Sequence, residues 1–421
     1  MSEQFLIRGG RKLLGQIQVR GAKNASFPLL AACLLTKEPC FISNLPLVQD
    51  VLRQLSILEK IGAQVSWLGK RSIKIVCSDI DPKDLPFDII TYFRGSIVLL
   101  GPLLARFGKI KFPLPGGCLI GARSIDTHLD AFSQMGVKLR AEGKNFYFEG
   151  RPKASSVTLR EFSVTATENV ILAAASKAKE TLLKIADQDY EVQGLVSVLR
   201  KMGAKVEQKT AHTIKVSGSK KLKGFKHTIM PDPLETGTFA AMALATKSKV
   251  LIRGAAVDFL ELFLKRLRDF GAKFEVLKGG KEILILPSKV LKMDKIQSLP
   301  YPGVHTDLQP ELGVLATQSR GPTLIHDPLY EGRLKYLEEL NKMGASIIFC
   351  DPHRAIINGP TRLVGKEIPS LDIRSGAAFL TAGLVASGNT IINNIYQIDR
   401  GYERIEERLQ GLGADITRVS V

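Results

Sequence analysis

The sequence predicts an α/β fold of two domains, each assembled from three units of about 70 residues. Three observations predict it. A helix-ending pattern recurs along the whole chain, an apolar helical stretch recurs out of phase with it, and alternating strand-like segments fill the spaces between. The helix-ending pattern reads LEKIGAQV at Leu58, FSQMGVKL at Phe132, LRKMGAKV at Leu199, LRDFGAKF at Leu267, LNKMGASI at Leu340 and LQGLGADI at Leu409. Its glycines, Gly62, Gly136, Gly203, Gly271, Gly344 and Gly413, stand 74, 67, 68, 73 and 69 residues apart. Each is expected to stop a helix in the left-handed conformation, which glycine adopts without a Cβ penalty, and to lead into a strand.

The elements follow in order. Strands are expected within Gln4 to Arg20. Apolar helices begin near Asn24, Arg94, Thr167, Glu235, Asp307 and Arg374, spaced by 70, 73, 68, 72 and 67 residues. They are apolar almost all round, so they belong in a core, three to a domain. Between them come a strand such as TLLKIAD or VLIRGAA, an amphipathic helix, and a strand pair such as AQVSWLG with SIKIVC. Pro231-Asp232-Pro233 lacks two backbone N–H donors and reads as a crossover between domains. The first domain is placed at 23–231 and includes a cysteine-bearing loop at 113–127; the second takes 1–22 plus 232–421, with the active site in the cleft between them.

Composition narrows the function. The net charge is +18, which points to acidic partners such as nucleic acid, anionic lipid or phosphorylated small molecules. Aromatics are 7% of the chain and the Lys and Arg are dispersed, against a nucleic-acid binder. Five cysteines without a C-x-x-C pair argue against zinc and a disulfide framework, and a reducing, cytoplasmic setting is expected. No stretch suits a membrane span, and Met1 to Lys12, with Glu3, Arg8, Arg11 and Lys12, does not read as a secretory signal. Neither a P-loop nor G-x-G-x-x-G is present.

Helix N-termini bind anions, and the apolar helices begin with chemically active residues. These are Lys23-Asn24, Arg94, Thr167-Glu168, Glu235-Thr236, Thr306-Asp307 and Asp372-Ile373-Arg374. Capping accounts equally well for Asn24, Thr167 and Asp307. It does not account for Lys23, Arg94 or Arg374, since a cation at a helix N-terminus is unfavourable. The loop PLPGGCLIGARSIDTHL places Cys118 among glycines, with Arg123 five residues on. It reads either as an acid or nucleophile on a lid or as a hairpin turn with an inert thiol. Cys33, Cys40, Cys77 and Cys350 read as core, His128 as a structural hydrogen-bond partner, and Arg400 in IDRGYERIEERL as a weak candidate for the cleft.

GAKNASFPLLAA, LPGGCLIGARSIDTHL, ETGTF and IDRGYERIEERL, with the sixfold repeat, resemble the UDP-N-acetylglucosamine 1-carboxyvinyltransferase family over essentially the whole chain. The resemblance implies a two-domain inside-out α/β barrel. It implies transfer of the enolpyruvyl group of phosphoenolpyruvate to the 3′-hydroxyl of UDP-N-acetylglucosamine, with release of phosphate, by addition and elimination. This would be the first committed step of peptidoglycan precursor synthesis, serving cell-wall growth, shape and division. No metal or organic cofactor is implied, nor nucleic acid or membrane insertion, and no oligomeric state is assigned.

Carried over, Cys118 would be the general acid, able to form an adduct and to be alkylated by fosfomycin. Lys23, Arg123 and Arg400 would neutralise phosphate and carboxylate, Asn24 would bond the intermediate, and Asp307 would contact the attacking hydroxyl and act as base. Arg94 would reach the sugar nucleotide. The stretch Arg123, Ser124, Ile125, Asp126, Thr127 and the stretch Glu161, Phe162, Ser163, Val164 would hold the uridine diphosphate. Leu329, Asp372 and Arg374 complete the substrate-binding set. The chain departs from the family's usual residues at Ser124, Thr165, Pro233, His305 and Gly332, where Pro, Gly, Arg, Pro and Asn are common. The shikimate-pathway enolpyruvyl transferases share fold and donor but lack the cysteine loop, and a catalytically weak paralogue is a further alternative.

Overall fold

The computed structural model describes residues 3–117, 120–121, 124–176, 179–219 and 221–420. The chain divides into two compact units. One holds Met1–Arg20 and Pro231–Val421, together with Ile120 and Gly121; the other runs from Gly21 through Gly117 and resumes up to Met230.

Both units mix parallel and antiparallel strands with helices. In the unit of Pro231–Val421, the sheet holding the first strand has the order Glu367–Pro369, Asn389–Asn393, Glu3–Arg8, Asp415–Ser420. A second runs Lys273–Leu277, Glu282–Leu286, Lys249–Arg253, Leu14–Gln18. A third runs Lys295–Gln297, Gly321–His326, Arg354–Gly359, Ser346–Asp351. Each is antiparallel except for one parallel edge strand, such as Leu14–Gln18 beside Lys249–Arg253. Side chains alternate in burial along the inner strands, as in Arg354–Gly359, where Ala355 and Ile357 are fully buried.

Three buried helices, Pro233–Ala245, Gln309–Thr317 and Ile373–Val385, pack on one another inside this unit. All thirteen residues of Pro233–Ala245 are buried. Its Ala, Gly and Thr residues let the backbones approach.

The other unit repeats the plan with helices Lys23–Ala32 and Val164–Ala175 and the stretch Arg94–Phe107. Its sheets centre on Cys40–Ser43 with Ser72–Val76, Lys109–Pro113 with Asn145–Glu149, and Glu180–Lys184 with Thr213–Ser217.

The glycines Gly62, Gly136, Gly203, Gly271, Gly344 and Gly413 all have positive φ, from 77° to 103°. Each follows a helix and precedes a strand. Basic side chains occupy the last turn ahead of five of them, Lys60, Arg200, Arg266, Lys342 and Arg408 among them, where they complement the helix dipole.

Three expectations are corrected. Asn24, Thr167 and Asp307 are not caps. Ala22, Ser163 and His305 hold the cap place for those three helices, which start one to three residues before the expected positions, and Asp232 and Asp372 cap the helices expected near Glu235 and Arg374. Thr167 lies inside its helix and accepts from the Asp187 N–H. The stretch at Arg94 opens as a 3-10 turn, Arg94–Leu99, before the α-helix Leu100–Phe107. Cys350 is exposed on the strand Ser346–Asp351, whereas Cys33, Cys40 and Cys77 are buried.

Candidate active site

In the unit of Pro231–Val421, the start of each buried helix carries ionic side chains. Asp307 lies in the turn Thr306–Leu308 that leads into Gln309–Thr317. Arg333 Nη2 donates to its Oδ1 at 2.8 Å and Arg374 Nε to its Oδ2 at 2.9 Å. Burial alone would raise this carboxyl, but the Arg374 and Arg333 guanidinium groups outweigh it and hold Asp307 well below the ordinary aspartate range. The carboxylate is therefore ionised at any physiological pH.

The guanidinium groups are themselves anchored. Arg374 Nη1 donates to Tyr402 OH at 3.1 Å, and that hydroxyl lies 2.9 Å from Thr238 Oγ1. Arg333 Nε donates to Thr306 Oγ1, whose own proton goes to Asp327 Oδ2 at 2.5 Å. Asp327 also accepts from the Leu329 and Tyr330 N–H groups. Asp372 caps Ile373–Val385 through the Arg374 and Ser375 N–H groups, and its Oδ1 lies 3.7 Å from Arg333. Arg400, buried after the short helix Tyr396–Asp399, donates to Gln397 Oε1. Asp307, Asp372 and Arg374 thus form one connected group, Leu329 joins it by its main chain, and Arg400 is held on Gln397.

In the other unit, Lys23 opens the helix Lys23–Ala32. Its Nζ lies 3.2 Å from Asp50 Oδ2 and 5.6 Å from the Phe27 ring centroid. Asn24 bonds Glu191, which burial and the neighbours Asp189, Glu168 and Asp187 push well above the ordinary range. Arg94 Nη2 donates to the Ser124 carbonyl at 2.5 Å, and Ser124 Oγ accepts from the Asp126 N–H. Ile125 is buried, and Asp126 opens the helix Asp126–Gln134. Thr127 donates to Glu161 Oε1 at 2.9 Å. Phe162 is exposed, its ring centroid 4.8 Å from that of His212 at an interplanar angle of 66°. Ser163 caps the helix that Val164 begins.

Beneath this group His128 bridges Thr165 and Asn169, and burial with the Arg94 charge lowers it to about 3. It is a neutral structural partner. The structure therefore brings Arg94, Ser124, Asp126, Thr127 and Glu161 into one neighbourhood. Cys118 and Arg123 lie outside the described residues. Sequence reasoning missed Arg333, Asp327, Asp50 and Tyr402. For Tyr402 the signal was its place in the run of Asp399 to Arg404; for Arg333, a cation beside the apolar positions Leu334 and Leu337.

No helix among the described residues is long and apolar enough to cross a membrane. Among the described residues no group of three His, Cys, Asp or Glu side chains is arranged to hold a metal ion.

The family model described as EPSP synthase (3-phosphoshikimate 1-carboxyvinyltransferase) matches residues 7–409. The chain is 36% identical over 421 residues to a UDP-N-acetylglucosamine 1-carboxyvinyltransferase of Koribacter versatilis, covering 99% of this chain and 96% of that one. It is 37% identical over 420 residues to the protein of the same name from Coxiella burnetii, again covering 99% and 96%. In fold it is similar to the enolpyruvyl transferase NikO from Streptomyces tendae, with a TM-score of 0.91 at 24% identity over 100% of this chain and 99% of that one. A match over this length, at this identity, leaves a single assignment: the chain is an enzyme and belongs to the enolpyruvyl (1-carboxyvinyl) transferase family.

Proposed function

We propose that the enzyme transfers the enolpyruvyl group of phosphoenolpyruvate to the 3′-hydroxyl of UDP-N-acetylglucosamine, releasing phosphate, in the first committed step of peptidoglycan precursor synthesis. One observation carries the choice of acceptor: relatives of that name align over 99% of the chain. The Gly-Gly-Cys loop at Gly116 to Cys118 supports it.

In this reading the hydroxyl oxygen attacks C2 of phosphoenolpyruvate while the methylene carbon takes a proton from Cys118. The product of that addition is a tetrahedral ketal. Phosphate then leaves as the methyl group returns a proton. Asp307 accepts the hydroxyl proton. Its carboxylate starts as a weak base between Arg333 and Arg374. Substrate anions that draw those cations away would raise its basicity as the reaction begins. Lys23, Arg123 and Arg400 neutralise the donor, and Asn24 bonds the intermediate. Arg94, the main chain at Ser124 to Thr127, and Glu161 to Val164 hold the nucleotide, and Asp372, Arg374 and Leu329 contribute to the same site. The reading assigns no cofactor, a cytoplasmic setting, and an inside-out α/β barrel for each unit. The sheets and buried helices described above support that last point.

Phosphate release should require both substrates and collapse in Cys118→Ala. No release from folded protein would overturn the reading. A second reading has one observation in its favour, the family model's own description as a 3-phosphoshikimate transferase. Shikimate 3-phosphate as acceptor tests it in the same assay.

A further inference from the structure

Three buried helices start in the unit of Pro231–Val421, and the residue in the cap place differs among them. At the first, Asp232 Oδ1 accepts from the Leu234 N–H, two residues on, at 2.8 Å. At the third, Asp372 Oδ1 accepts from the Arg374 N–H, two residues on, at 2.9 Å. At the second, His305 Nδ1 accepts from the Asp307 N–H, again two residues on, at 3.0 Å. The chain makes the same cap bond three times, twice with a carboxylate and once with an imidazole.

The exception stands where the next carboxylate is needed elsewhere. Unpaired N–H groups at a helix start attract any nearby aspartate side chain, including one inside the first turn. Asp232 and Asp372 spend their carboxylates in that way. Asp307 keeps both oxygens for Arg333 and Arg374, because its own N–H is already satisfied. A carboxylate at 305 would satisfy that N–H too, but would add a second negative charge beside Asp307. An imidazole nitrogen accepts the bond without one.

We propose that His305 is a positioning residue: by capping the Asp307 N–H with an uncharged acceptor, it keeps the Asp307 carboxylate off its own helix start and aimed between Arg333 and Arg374. The proposal rests on the reading of Asp307 as the residue that meets the attacking hydroxyl.

Two readouts test it, one independent of the substrates. Crystal structures of His305→Ala and His305→Asn are compared with that of the unaltered enzyme. In His305→Ala the Asp307 carboxylate should leave Arg374 for the N–H groups of its own turn. In His305→Asn, where an amide oxygen replaces the ring nitrogen, it should stay. A carboxylate unmoved in His305→Ala overturns the proposal. In turnover, His305→Ala should lower kcat roughly tenfold or more with little change in KM, since misplacement of a reacting group costs rate rather than affinity. His305→Asn should restore most of it. In an Asp307→Asn background, His305→Ala should cost nothing further; additive losses or an unchanged kcat in the single variant overturn the proposal.

If His305→Ala does not fold, His305→Leu keeps the bulk, lacks the acceptor and takes its place in both readouts. An unaltered enzyme that is folded yet inert toward UDP-N-acetylglucosamine refutes the substrate reading instead, and the crystal comparison still decides the role of His305.

Discussion

Asp307 and Glu311 are four residues apart at the start of one buried helix, and their surroundings drive them in opposite directions. Two guanidinium groups hold Asp307 ionised. Glu311 has the Thr381 hydroxyl at 2.7 Å and the more distant Arg374 charge, neither enough to offset its burial, and its carboxyl is raised to about 8. The sign of the consequence follows from proton linkage. A carboxyl that titrates higher when folded binds more protons in the folded state, so its contribution is complete below its ordinary 4.5 and is lost as pH rises through about 8. Thermal midpoints measured across that interval should fall more steeply for the unaltered enzyme than for Glu311→Gln, whose amide has no proton to lose. Parallel slopes would contradict this account.

The buried helices show how little tolerance the packing has. Gly313 lies within Gln309–Thr317, where an exposed glycine would ordinarily be improved by alanine. Here a Cβ would lie 2.0 Å from the hydroxyl of the buried Tyr336. Gly313→Ala should therefore destabilise by about 1–3 kcal/mol, the usual cost of overpacking. Adding Tyr336→Phe should recover part of that loss in a denaturant titration. The buried helices were legible because apolar character on every face is a local signal, and the amphipathic helices because a glycine stop is another. The caps at Ser163, Asp232 and His305 were not, since they lie outside the apolar runs and look like loop. The site divided the same way. Lys23, Arg94 and Arg374 stood out as cations where a helix start disfavours them. Arg333 did not, because one cation in an amphipathic pattern reads as a solvated face. Its partner Asp307, 26 residues away, becomes visible only when the chain has folded.

At the scale of the whole molecule the surplus of basic residues is the dominant property. A net charge of +18 gives a field that attracts anions, and salt screens it within a Debye length of about 8 Å at physiological ionic strength. Raising salt toward about 0.5 M should lower kcat/KM for both anionic substrates while leaving kcat nearly unchanged. A salt-independent kcat/KM would show that the charge plays no part in capture.

The strand Glu3–Arg8 lies between Asn389–Asn393 and Asp415–Ser420, paired with both. On the ribosome this segment emerges early and its two neighbours late, with the whole of Gly21–Met230 made in between. A nascent chain can complete that intervening unit while the opening strand still waits with both edges bare. Bare strand edges invite pairing with foreign chains. Arg8, Arg11 and Lys12 lie in and just after this strand, where charge opposes such pairing during translation.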